Sequence, residues 1–453
     1  MASSRKSKSD LEERVADALC PVVPPNSSIL LGLSGGLDSV VLLHVLHGLA
    51  PRFGWQLSAL HVHHGISPNA DAWAEFCLQL CQRYAVRCVV ERVSVAALRG
   101  AHGVEAAARK LRYEAYSRQH ADFIALAHHA DDQTETLLLQ LLRGAGVRGA
   151  AAMPLVSAGN TRLLRPLLEV SRRELLSYAQ RNGLQWVEDE SNQDDAYARN
   201  FLRHRIFPVL EERYPAYRAT LARSSRHFAE ASGLLDDLAR IDMPDWRPGM
   251  PLSVDLLARL SPERARNLLR YALYAHGMPM PQEAQLEEAM QQLFHARADA
   301  AVCVEFGMCQ LRRYRHQAYV MEALPAFDPA FALAWAGEPV LYWPPLNCRL
   351  VFRQVQGQGI ALHSLQRPVA LRLRCGHETI RLHPRGASRS LKNFYQEQEV
   401  PPWQRERFPL LYCGEKLASV VGHAVAADFQ ARDNEPGLLV EIEPTCDSRA
   451  KPC

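Results

Sequence analysis

The first 210 residues alternate between short apolar runs and longer segments in which apolar side chains recur every three or four positions. The short runs, rich in leucine and β-branched residues, are typical of buried strands, and the longer segments are typical of amphipathic helices. This alternation predicts an α/β fold with a doubly wound, mostly parallel sheet. The predicted strands are Ser28–Leu33, Leu57–Val62, Cys88–Val93, Phe123–Ala127 and Arg162–Leu164, and the predicted helices include Val40–Leu49, Asp71–Tyr84 and Val104–Gln119.

From Leu210 to about Glu322 the strand signals mostly disappear, and a three- to four-residue apolar spacing predicts a mainly helical domain. The short runs Val302–Phe306 and Ala318–Met321 predict a small hairpin at the end of this domain. The predicted helical segments are Tyr217–Leu238, Ser253–His276 and Gln282–Ala296.

The last third of the chain returns to short strands, which predict a small, mostly β C-terminal domain. The predicted strands are Val369–Leu373, Thr379–Leu382, Leu410–Cys413, Leu417–Val421 and Leu438–Ile442. The predicted boundaries are 1–215 for the α/β domain, 216–325 for the helical domain, 326–360 for a linker and 361–445 for the C-terminal domain.

The composition, with 48% hydrophobic and 22% charged residues among 453, is that of a globular protein too long for one core. No run approaches the roughly 20 apolar residues of a membrane span, and no apolar core follows the basic N-terminus as in a secretory signal. Eleven cysteines without a C-x-x-C pair argue against a disulfide framework. We therefore expect a cytoplasmic protein with reduced thiols and no membrane association.

The most specific motif is Ser-Gly-Gly-Leu-Asp-Ser at Ser34–Ser39, between a predicted strand and a predicted helix. Such a turn aims backbone N–H groups and the positive helix end at an anion, and adjacent glycines let the backbone approach phosphate closely. No lysine follows, so this is not the loop of enzymes that cleave the terminal phosphate. The alternative is a glycine-rich turn without a ligand. The residues predicted to bind phosphate are Ser34, Gly35, Gly36, Leu37, Asp38 and Ser39, with Asp38 also holding Mg²⁺.

This motif resembles the loop of the PP-loop ATPase superfamily, which implies that ATP is held by its pyrophosphate and cleaved between the α and β phosphates. A second polar run, His128–Glu135, follows the strand Phe123–Ala127, where ligands of open α/β sheets collect. We expect His128 to contact phosphate and Asp131 or Asp132 to bind Mg²⁺. The structural alternative is a capping box made by Asp132 and Glu135.

Further stretches carry groups suited to phosphates and bases. On a helix, Glu105, Arg109, Arg112 and Tyr116 share one face, which suits either a solvated ion-pair stripe or an arginine surface facing polyphosphate. A metal site at His61, His63 and His64 with Cys77, Cys81 and Cys88 is disfavoured, because their spacing is typical of buried strand and helix faces.

Together the motifs resemble the tRNA(Ile)-lysidine synthase family, in an order and spacing that cover the first 210 residues. The matching pieces are Ser34–Ser39, His61–Gly65, Gly103–Arg109 with Arg112 and Tyr113, His128–Glu135, Arg143–Gly146, Arg165–Leu168, and Glu188–Asp189 through Arg199, Asn200 and Arg203.

The resemblance implies that ATP adenylates the C2 oxygen of the wobble cytidine in a tRNA(Ile) with a CAU anticodon, and that the ε-amine of free L-lysine then displaces AMP. ATP and Mg²⁺ are the implied cofactors. Asp132 is assigned to take the proton of the amine, since a protonated amine has no lone pair, and Asp132 or Glu135 to balance its charge. Family members can dimerise, which leaves a homodimer open. The implied catalytic residues are Asp38, Asp132, Glu135, Arg109, Arg112 and Arg203.

A basic stripe in the C-terminal domain is the expected contact with tRNA. Between Arg367 and Lys392 there are seven positive residues and one negative residue, and Phe394, Tyr395 and Trp403 follow closely. This combination suits phosphate binding with base stacking. The arginines of the helical domain are further candidates, namely Arg259, Arg264, Arg266 and Arg270, with Arg312, Arg313 and Arg315 near its end.

Three rival functions fit less of the sequence. A sulfur transferase that thiolates tRNA would need catalytic or cluster-binding cysteines, and none lies in the matched segments. A synthetase that amidates a small metabolite would not need the basic C-terminal domain. A non-enzymatic RNA-binding protein would not need to retain Ser34, Asp38, Ser39, Asp131 and Asp132.

Overall fold

The computed structural model describes residues 11–94, 99–157, 162–190, 194–297, 300, 302–366 and 368–444, with side chains described for all of these except 99–106, 366 and 444. The chain forms two compact units, Met1–Asp237 and Leu238–Cys453. Among the described residues, no helix has both the length and the apolar character that a membrane crossing requires.

The first unit is built on a parallel sheet of five strands in the order β3-β2-β1-β4-β5. The chain runs outward from the central β1 to β3 and then crosses to β4 on the other side. This order confirms the predicted doubly wound sheet, and all five predicted strands are present. They are β1 (Ser28–Gly32), β2 (Gln56–His63), β3 (Arg87–Arg92), β4 (Phe123–Ala125) and β5 (Leu163–Leu164).

Helices cover both faces of this sheet. Leu31 of β1 packs in one core with Leu42 and Leu46, whereas its neighbour Leu30 packs in a second core with Ala115 and Tyr116. Successive strand residues point to opposite faces, so both faces are apolar. The helices are α1 (Leu11–Leu19), α2 (Leu37–Phe53), α3 (Ala70–Arg83), α4 (Arg99–Ser117), α5 (Ala130–Leu142), α6 (Val147–Ala150), α7 (Arg172–Arg181), α8 (Ala198–Phe201), α9 (Phe207–Arg213) and α10 (Tyr217–Asp242).

The second unit begins with helices packed on an antiparallel sheet of order β6-β9-β8-β7. The predicted hairpin between 302–306 and 318–321 is wrong, because a further strand, Cys309–Tyr314, lies between those two runs and pairs with both. Its three polar positions Arg312, Arg313 and Gln310 weaken the strand signal. The elements are β6 (Leu252–Ser253), α11 (Val254–Arg259), α12 (Pro262–Ala275), α13 (Glu283–His295), β7 (Cys303–Phe306), β8 (Cys309–Tyr314) and β9 (Gln317–Glu322).

The C-terminal part is mostly β, as predicted. Two antiparallel sheets of order β10-β14-β17-β18-β19 and β11-β12-β20-β13 share one core around Trp343, Leu371 and Leu438, and β15 pairs with β16. The elements are β10 (Ala332–Trp335), β11 (Val340–Trp343), β12 (Cys348–Gln356), β13 (Ile360–Ala361), β14 (Val369–Arg372), β15 (Thr379–Ile380), β16 (Arg389–Ser390), α14 (Leu391–Glu397), α15 (Pro402–Arg405), β17 (Leu410–Cys413), β18 (Lys416–Val420), β19 (Ala424–Val425) and β20 (Pro436–Pro444).

The segment predicted as a linker, residues 326–360, contains three of these strands, β10, β11 and β12. Strand β12 pairs along its whole length with β20, about ninety positions later in the sequence. The short-range pattern could not indicate this pairing, because the partner is remote in the chain. The domain boundaries drawn from the sequence stay a prediction.

Replacing Leu42 by alanine should destabilise the first unit, because Leu42 is fully buried in α2 beneath the sheet. We expect a loss of about 3 kcal/mol in the free energy of unfolding, as for other buried leucines. Leu78→Ala is the control, since Leu78 is 39% exposed. Thermal denaturation followed by circular dichroism measures both, and equal melting temperatures for the two variants would contradict the proposed core.

Candidate active site

The loop Ser34–Ser39 joins the end of β1 to the first turn of α2, and helical conformation begins at Leu37. Gly35 has φ +87°, a conformation that glycine adopts without strain. A Cβ on Gly35 would also lie 3.0 Å from Cγ2 of Val187 and 3.2 Å from Sγ of Cys77. Both the conformation and the available space therefore require glycine at this position.

Hydrogen bonds within the loop bring two hydroxyls together at the N-terminus of α2. The Oγ atoms of Ser34 and Ser39 are 3.0 Å apart. Ser34 Oγ accepts from the backbone N–H of Gly36 at 3.3 Å, and Ser39 Oγ donates to the Gly36 carbonyl at 2.9 Å. The positive end of the helix and two orientable hydroxyl donors thus face the same place, which suits an anion.

The second polar run lies where β4 leads into α5, beside the first loop, because β4 pairs with β1. His129 precedes α5 in extended conformation, and its backbone N–H donates to Oδ2 of Asp132 at 3.0 Å. His129 and Asp132 therefore cap the N-terminus of α5. The capping box predicted between Asp132 and Glu135 is not formed.

The imidazole of His129 is 2% exposed and lies among three carboxylates. Its Nε2 is 3.5 Å from Oδ2 of Asp38 and 3.6 Å from Oδ2 of Asp132, and its Nδ1 is 3.8 Å from Oδ2 of Asp131. Burial alone would lower the pKa of His129, but the three carboxylates outweigh burial and raise that pKa. His129 in its protonated form therefore links the two loops through ion pairs with their carboxylates.

Asp131 is oriented by other partners. Its Oδ1 accepts from Nε of Arg218 at 2.7 Å, and its Oδ2 accepts from the backbone N–H of Arg172 at 2.9 Å. Asp131 is not among the residues that line the neighbouring cavity. Among the described residues, no group of three or more histidine, cysteine, aspartate or glutamate side chains is arranged to hold a metal ion.

Glu135 is completely buried and forms an ion pair with Arg203. Its Oε1 accepts from Nε of Arg203 at 2.9 Å and from Nη2 at 2.6 Å. Burial raises the pKa of Glu135, against the opposing effect of Arg203. Nη2 of Arg203 also lies 3.7 Å from Oδ1 of Asp132. Glu135 therefore orients Arg203, which lines the cavity.

A cavity of about 550 Å³ opens above the carboxyl ends of the central strands. The structure brings together eight of the predicted site residues here, whereas Gly35, Leu37, Asp131, Asp132 and Glu135 are not among the lining residues. The eight lining residues are Ser34, Gly36, Asp38, Ser39, Arg109, Arg112, His128 and Arg203.

The charge of the lining is mainly positive. Arg199 joins Arg109, Arg112 and Arg203 in the wall, and these four arginines face only Asp38 and Asp189 among the acidic lining residues. Guanidinium groups are suited to bind phosphate oxygens through paired hydrogen bonds. Of the two alternatives for the face of α4, an arginine surface that binds polyphosphate is therefore favoured over a solvated stripe of ion pairs. The side chain of Glu105, which belongs to the same face, lies outside the described residues.

Two histidines of the lining, His128 and His64, are neutral near pH 7. Burial lowers the pKa of His128 to about 4, helped by Arg165, Arg199 and Arg109 and opposed by Asp132. Burial and the nearby Arg112 likewise lower the pKa of His64 to about 4. His128 can therefore offer phosphate a hydrogen bond but no charge.

The sequence interpretation gave no site role to several lining residues, among them His61, His64, Tyr113 and Tyr197. The segment His61–Gly65 and Tyr113 were named only as pieces that match the family, and a metal site at the histidines was disfavoured. Strand β2 neighbours β1 in the sheet, so the carboxyl end of β2 lies at the same crevice as the phosphate loop. The rule that ligands bind at the carboxyl ends of neighbouring strands could therefore have indicated His64. His61 is held by a 2.9 Å hydrogen bond between its Nδ1 and the Leu33 carbonyl.

Four of the six described basic residues of the stripe lie beside acidic side chains, three of which come from outside the stripe. Arg367 lies outside the described residues. The ion pairs of the stripe are Arg372 with Glu415 at 3.9 Å, Arg374 with Glu378 at 3.8 Å, Arg381 with Asp428, and Arg389 with Glu397.

Phe394 and Tyr395, predicted to stack on bases, are 2% and 0% exposed. They pack in a core with Leu391, Leu410 and Val420, so the prediction that they stack on bases is wrong. Trp403 is half-buried and lines a cavity of the second unit.

Comparison with known proteins agrees with these findings. The PP-loop domain family matches residues 6–210, the TilS substrate binding domain matches 252–319, and the TilS substrate C-terminal domain matches 369–442. The tRNA(Ile)-lysidine synthase of Nitrosomonas europaea is 40% identical over 98% of this chain and 98% of its own length.

Two further relatives carry the same name. That of Aromatoleum aromaticum is 43% identical over 92% of this chain and 98% of its own length, and that of Coxiella burnetii is 38% identical over 92% and 94%. The similarity to the Nitrosomonas europaea protein covers 98% of the chain and therefore extends over all three matched domains. The chain therefore belongs to the tRNA(Ile)-lysidine synthase family.

Proposed function

We propose that this chain is an ATP-dependent ligase that attaches lysine to C2 of the wobble cytidine in a tRNA(Ile) with a CAU anticodon. The cytidine is first adenylated, AMP and pyrophosphate are released, and the lysidine product reads AUA instead of AUG. The observation that carries this proposal is the cavity in which the phosphate loop faces four arginines, within a chain related over its full length to tRNA(Ile)-lysidine synthases. The cytoplasm is the proposed location.

ATP binds with its pyrophosphate on the loop Ser34–Ser39. The N-terminus of α2 and the hydroxyls of Ser34 and Ser39 supply donors to the phosphate oxygens. Arg109 and Arg112 lie on one face of α4, across the cavity. They stabilise the negative charge that develops on the leaving pyrophosphate, and such oriented charges act without reorganisation during the reaction.

The loop residues fit a bound Mg²⁺. Oδ1 of Asp38 is buried and has no hydrogen-bond partner among the described residues, which leaves a carboxylate oxygen available as a ligand. Mg²⁺ is commonly bound by one or two carboxylates together with substrate phosphates, so a three-carboxylate cage is not needed. We assign Asp38 as its ligand. Asp132 is kept as the proton acceptor of the next step, because its remaining oxygen cannot bind Mg²⁺ and take a proton at once, and Asp131 is assigned to positioning, because both its oxygens accept hydrogen bonds. Mg²⁺ would neutralise pyrophosphate charge.

The lysine amine must lose a proton before it attacks C2. We assign Asp132 as the base that accepts this proton. Its Oδ2 accepts a hydrogen bond from the His129 backbone, and its Oδ1 lies 3.7 Å from Nη2 of Arg203. Glu135, expected to balance the charge of the amine, is instead assigned to hold Arg203 in place. Arg203 and Arg199 then bind the anionic groups of the substrates.

Replacing Asp38 by asparagine should abolish lysidine formation, because the amide binds Mg²⁺ poorly and weakens the hold on pyrophosphate. We expect a loss in kcat/KM of at least about 100-fold. The assay is mass spectrometry of nucleosides from unmodified tRNA(Ile) with a CAU anticodon, incubated with lysine and Mg·ATP. The product is a cytidine heavier by one lysine minus water.

The control for this variant is Asp17→Asn, since Asp17 is exposed on α1. An Asp38→Asn enzyme as active as this control would refute the assignment of Asp38. A wild-type enzyme that turns ATP into AMP without modifying the tRNA would refute the substrate and leave the phosphate loop intact.

The ion pair of Glu135 and Arg203 should be strongly coupled, because breaking it leaves a buried charge without a partner. In a double-mutant cycle with Glu135→Gln and Arg203→Gln we expect a coupling energy of about 2–3 kcal/mol. The exposed pair Asp71 and Arg92 is the control, with an expected value below about 1 kcal/mol. Urea denaturation measures both cycles, and similar coupling energies would show that Glu135 does not hold Arg203.

Removing His129 should change how stability depends on pH. A raised pKa means that protonated His129 contributes stability fully below its ordinary value of 6.5, and that this contribution is lost as the pH rises through the higher folded-state pKa. The melting temperature of the wild type should exceed that of His129→Asn most at pH 6, and the difference should shrink towards pH 9. His227→Asn, at an exposed histidine, should show no such trend. A difference that grows with pH would exclude a charged His129.

A further inference from the structure

The second unit contains a cavity of about 640 Å³ with a high concentration of arginines. It lies between strand β8, the end of helix α14, helix α15 and the segment that follows α15. Among the described residues that line it, five arginines face a single acidic side chain, Glu406. The arginines are Arg312, Arg313, Arg315, Arg405 and Arg407.

Two of these arginines are buried, and the partners recorded for them are neutral. Arg405 and Arg407 are each 8% exposed. Arg405 donates to the Val400 carbonyl at 2.7 Å and to the Tyr314 hydroxyl at 2.8 Å. Arg407 donates to the carbonyls of Pro345 and Pro325 at 2.9 and 2.8 Å. Within the part of the chain that the structure describes, neither guanidinium forms an ion pair with a carboxylate.

A buried guanidinium that is hydrogen-bonded only to neutral oxygens keeps most of its positive charge uncompensated. Arg312 adds to this charge, since its Nε donates to the neutral Oε1 of Gln310 at 3.0 Å and the described residues provide no carboxylate partner for it. Burial and the nearby Arg312 lower the pKa of Arg407, against the opposing effect of Glu406. Arg315 differs, because it pairs with Glu399. An anion that enters the cavity would therefore be attracted mainly by Arg312, Arg405 and Arg407.

Aromatic rings stand beside these charges. The guanidinium carbon of Arg312 lies 5.3 Å from the ring centre of Trp403, and Trp403 is steadied by an edge contact with Tyr319 at 5.3 Å. Trp403 is only half-buried, so part of its ring is accessible. An accessible aromatic ring next to an arginine is the arrangement on which unpaired bases stack.

We propose that this cavity binds an unpaired nucleotide through its phosphate monoester, with the phosphate on Arg312, Arg405 and Arg407 and the base against Trp403. The volume lies in the range usual for small-ligand pockets, roughly 300–1,000 Å³. Two sources share this chemistry, a free mononucleotide and the 5′-phosphorylated end of an RNA strand. The proposal goes beyond the ligase reaction, because binding here requires neither the phosphate loop nor lysine.

The test is calorimetric titration of the full-length protein without ATP or its analogues, which would compete for the cavity; the variants described below separate binding here from binding at the phosphate loop. The probes are uridine 5′-monophosphate, uridine, inorganic phosphate, and a short single-stranded RNA with either a 5′-phosphate or a 5′-hydroxyl. We expect binding that depends on the phosphate. Equal affinities for the nucleotide and the phosphorylated RNA indicate a free nucleotide as the ligand, and an RNA preference of tenfold or more indicates a strand end.

Two variants connect this binding to the cavity. Arg312→Glu should weaken it at least tenfold, whereas Arg247→Glu should change it less than twofold, because Arg247 is exposed in the same unit and does not line the cavity. Trp403→Leu should weaken binding of the nucleotide but not of inorganic phosphate. The proposal is overturned if uridine binds as tightly as its monophosphate, if no probe binds the wild type, or if Arg312→Glu and Arg247→Glu have equal effects.

Discussion

The first unit depends on the placement of two carboxylates from different loops around one buried imidazole. Asp38 follows β1 and Asp132 follows β4, and both face His129. Two carboxylates this close would repel each other and favour protonation of one, unless a positive charge lies between them. The protonated imidazole supplies that charge, and the N-termini of α2 and α5 add to it. The same contacts fix the two loops relative to each other, which positions every donor around the cavity.

This arrangement follows from the sheet order. Strand β1 has β2 on one side and β4 on the other, so the connections leaving β1 and β4 diverge to opposite faces and open a crevice at the carboxyl ends. The order also explains why residues distant in sequence share one wall: His64 follows β2, Ser34 follows β1 and His128 follows β4. The loop can therefore contact a polyphosphate while helix α4 supplies arginines from the other side.

The sequence predicted the periodic parts well, because strand and helix patterns and the loop Ser34–Ser39 are local. It did not predict what each charged residue contacts. Glu135 carries the signature of a residue at a helix start, yet its role depends on Arg203, 68 positions later. Asp131 and Asp132 are adjacent, and only the positions of Arg218 and the His129 backbone distinguish them. Strand β12 was missed because its partner β20 lies far along the chain.

The same distinction separates the two groups of arginines in the second unit. The stripe up to Lys392 is conspicuous as a run, but acidic residues that fold back onto it, such as Asp428 and Glu415, neutralise much of its charge. Arg312 and Arg407 lie far apart in the sequence, and the fold brings them together in one cavity. What an arginine can bind depends on the groups that already contact it. The carboxylate of Glu135 both positions Arg203 and compensates its charge. Backbone carbonyls position Arg407 but do not compensate its charge, which is therefore available to attract a ligand. Local charge density therefore predicts binding less well than the nature of the groups that each guanidinium contacts.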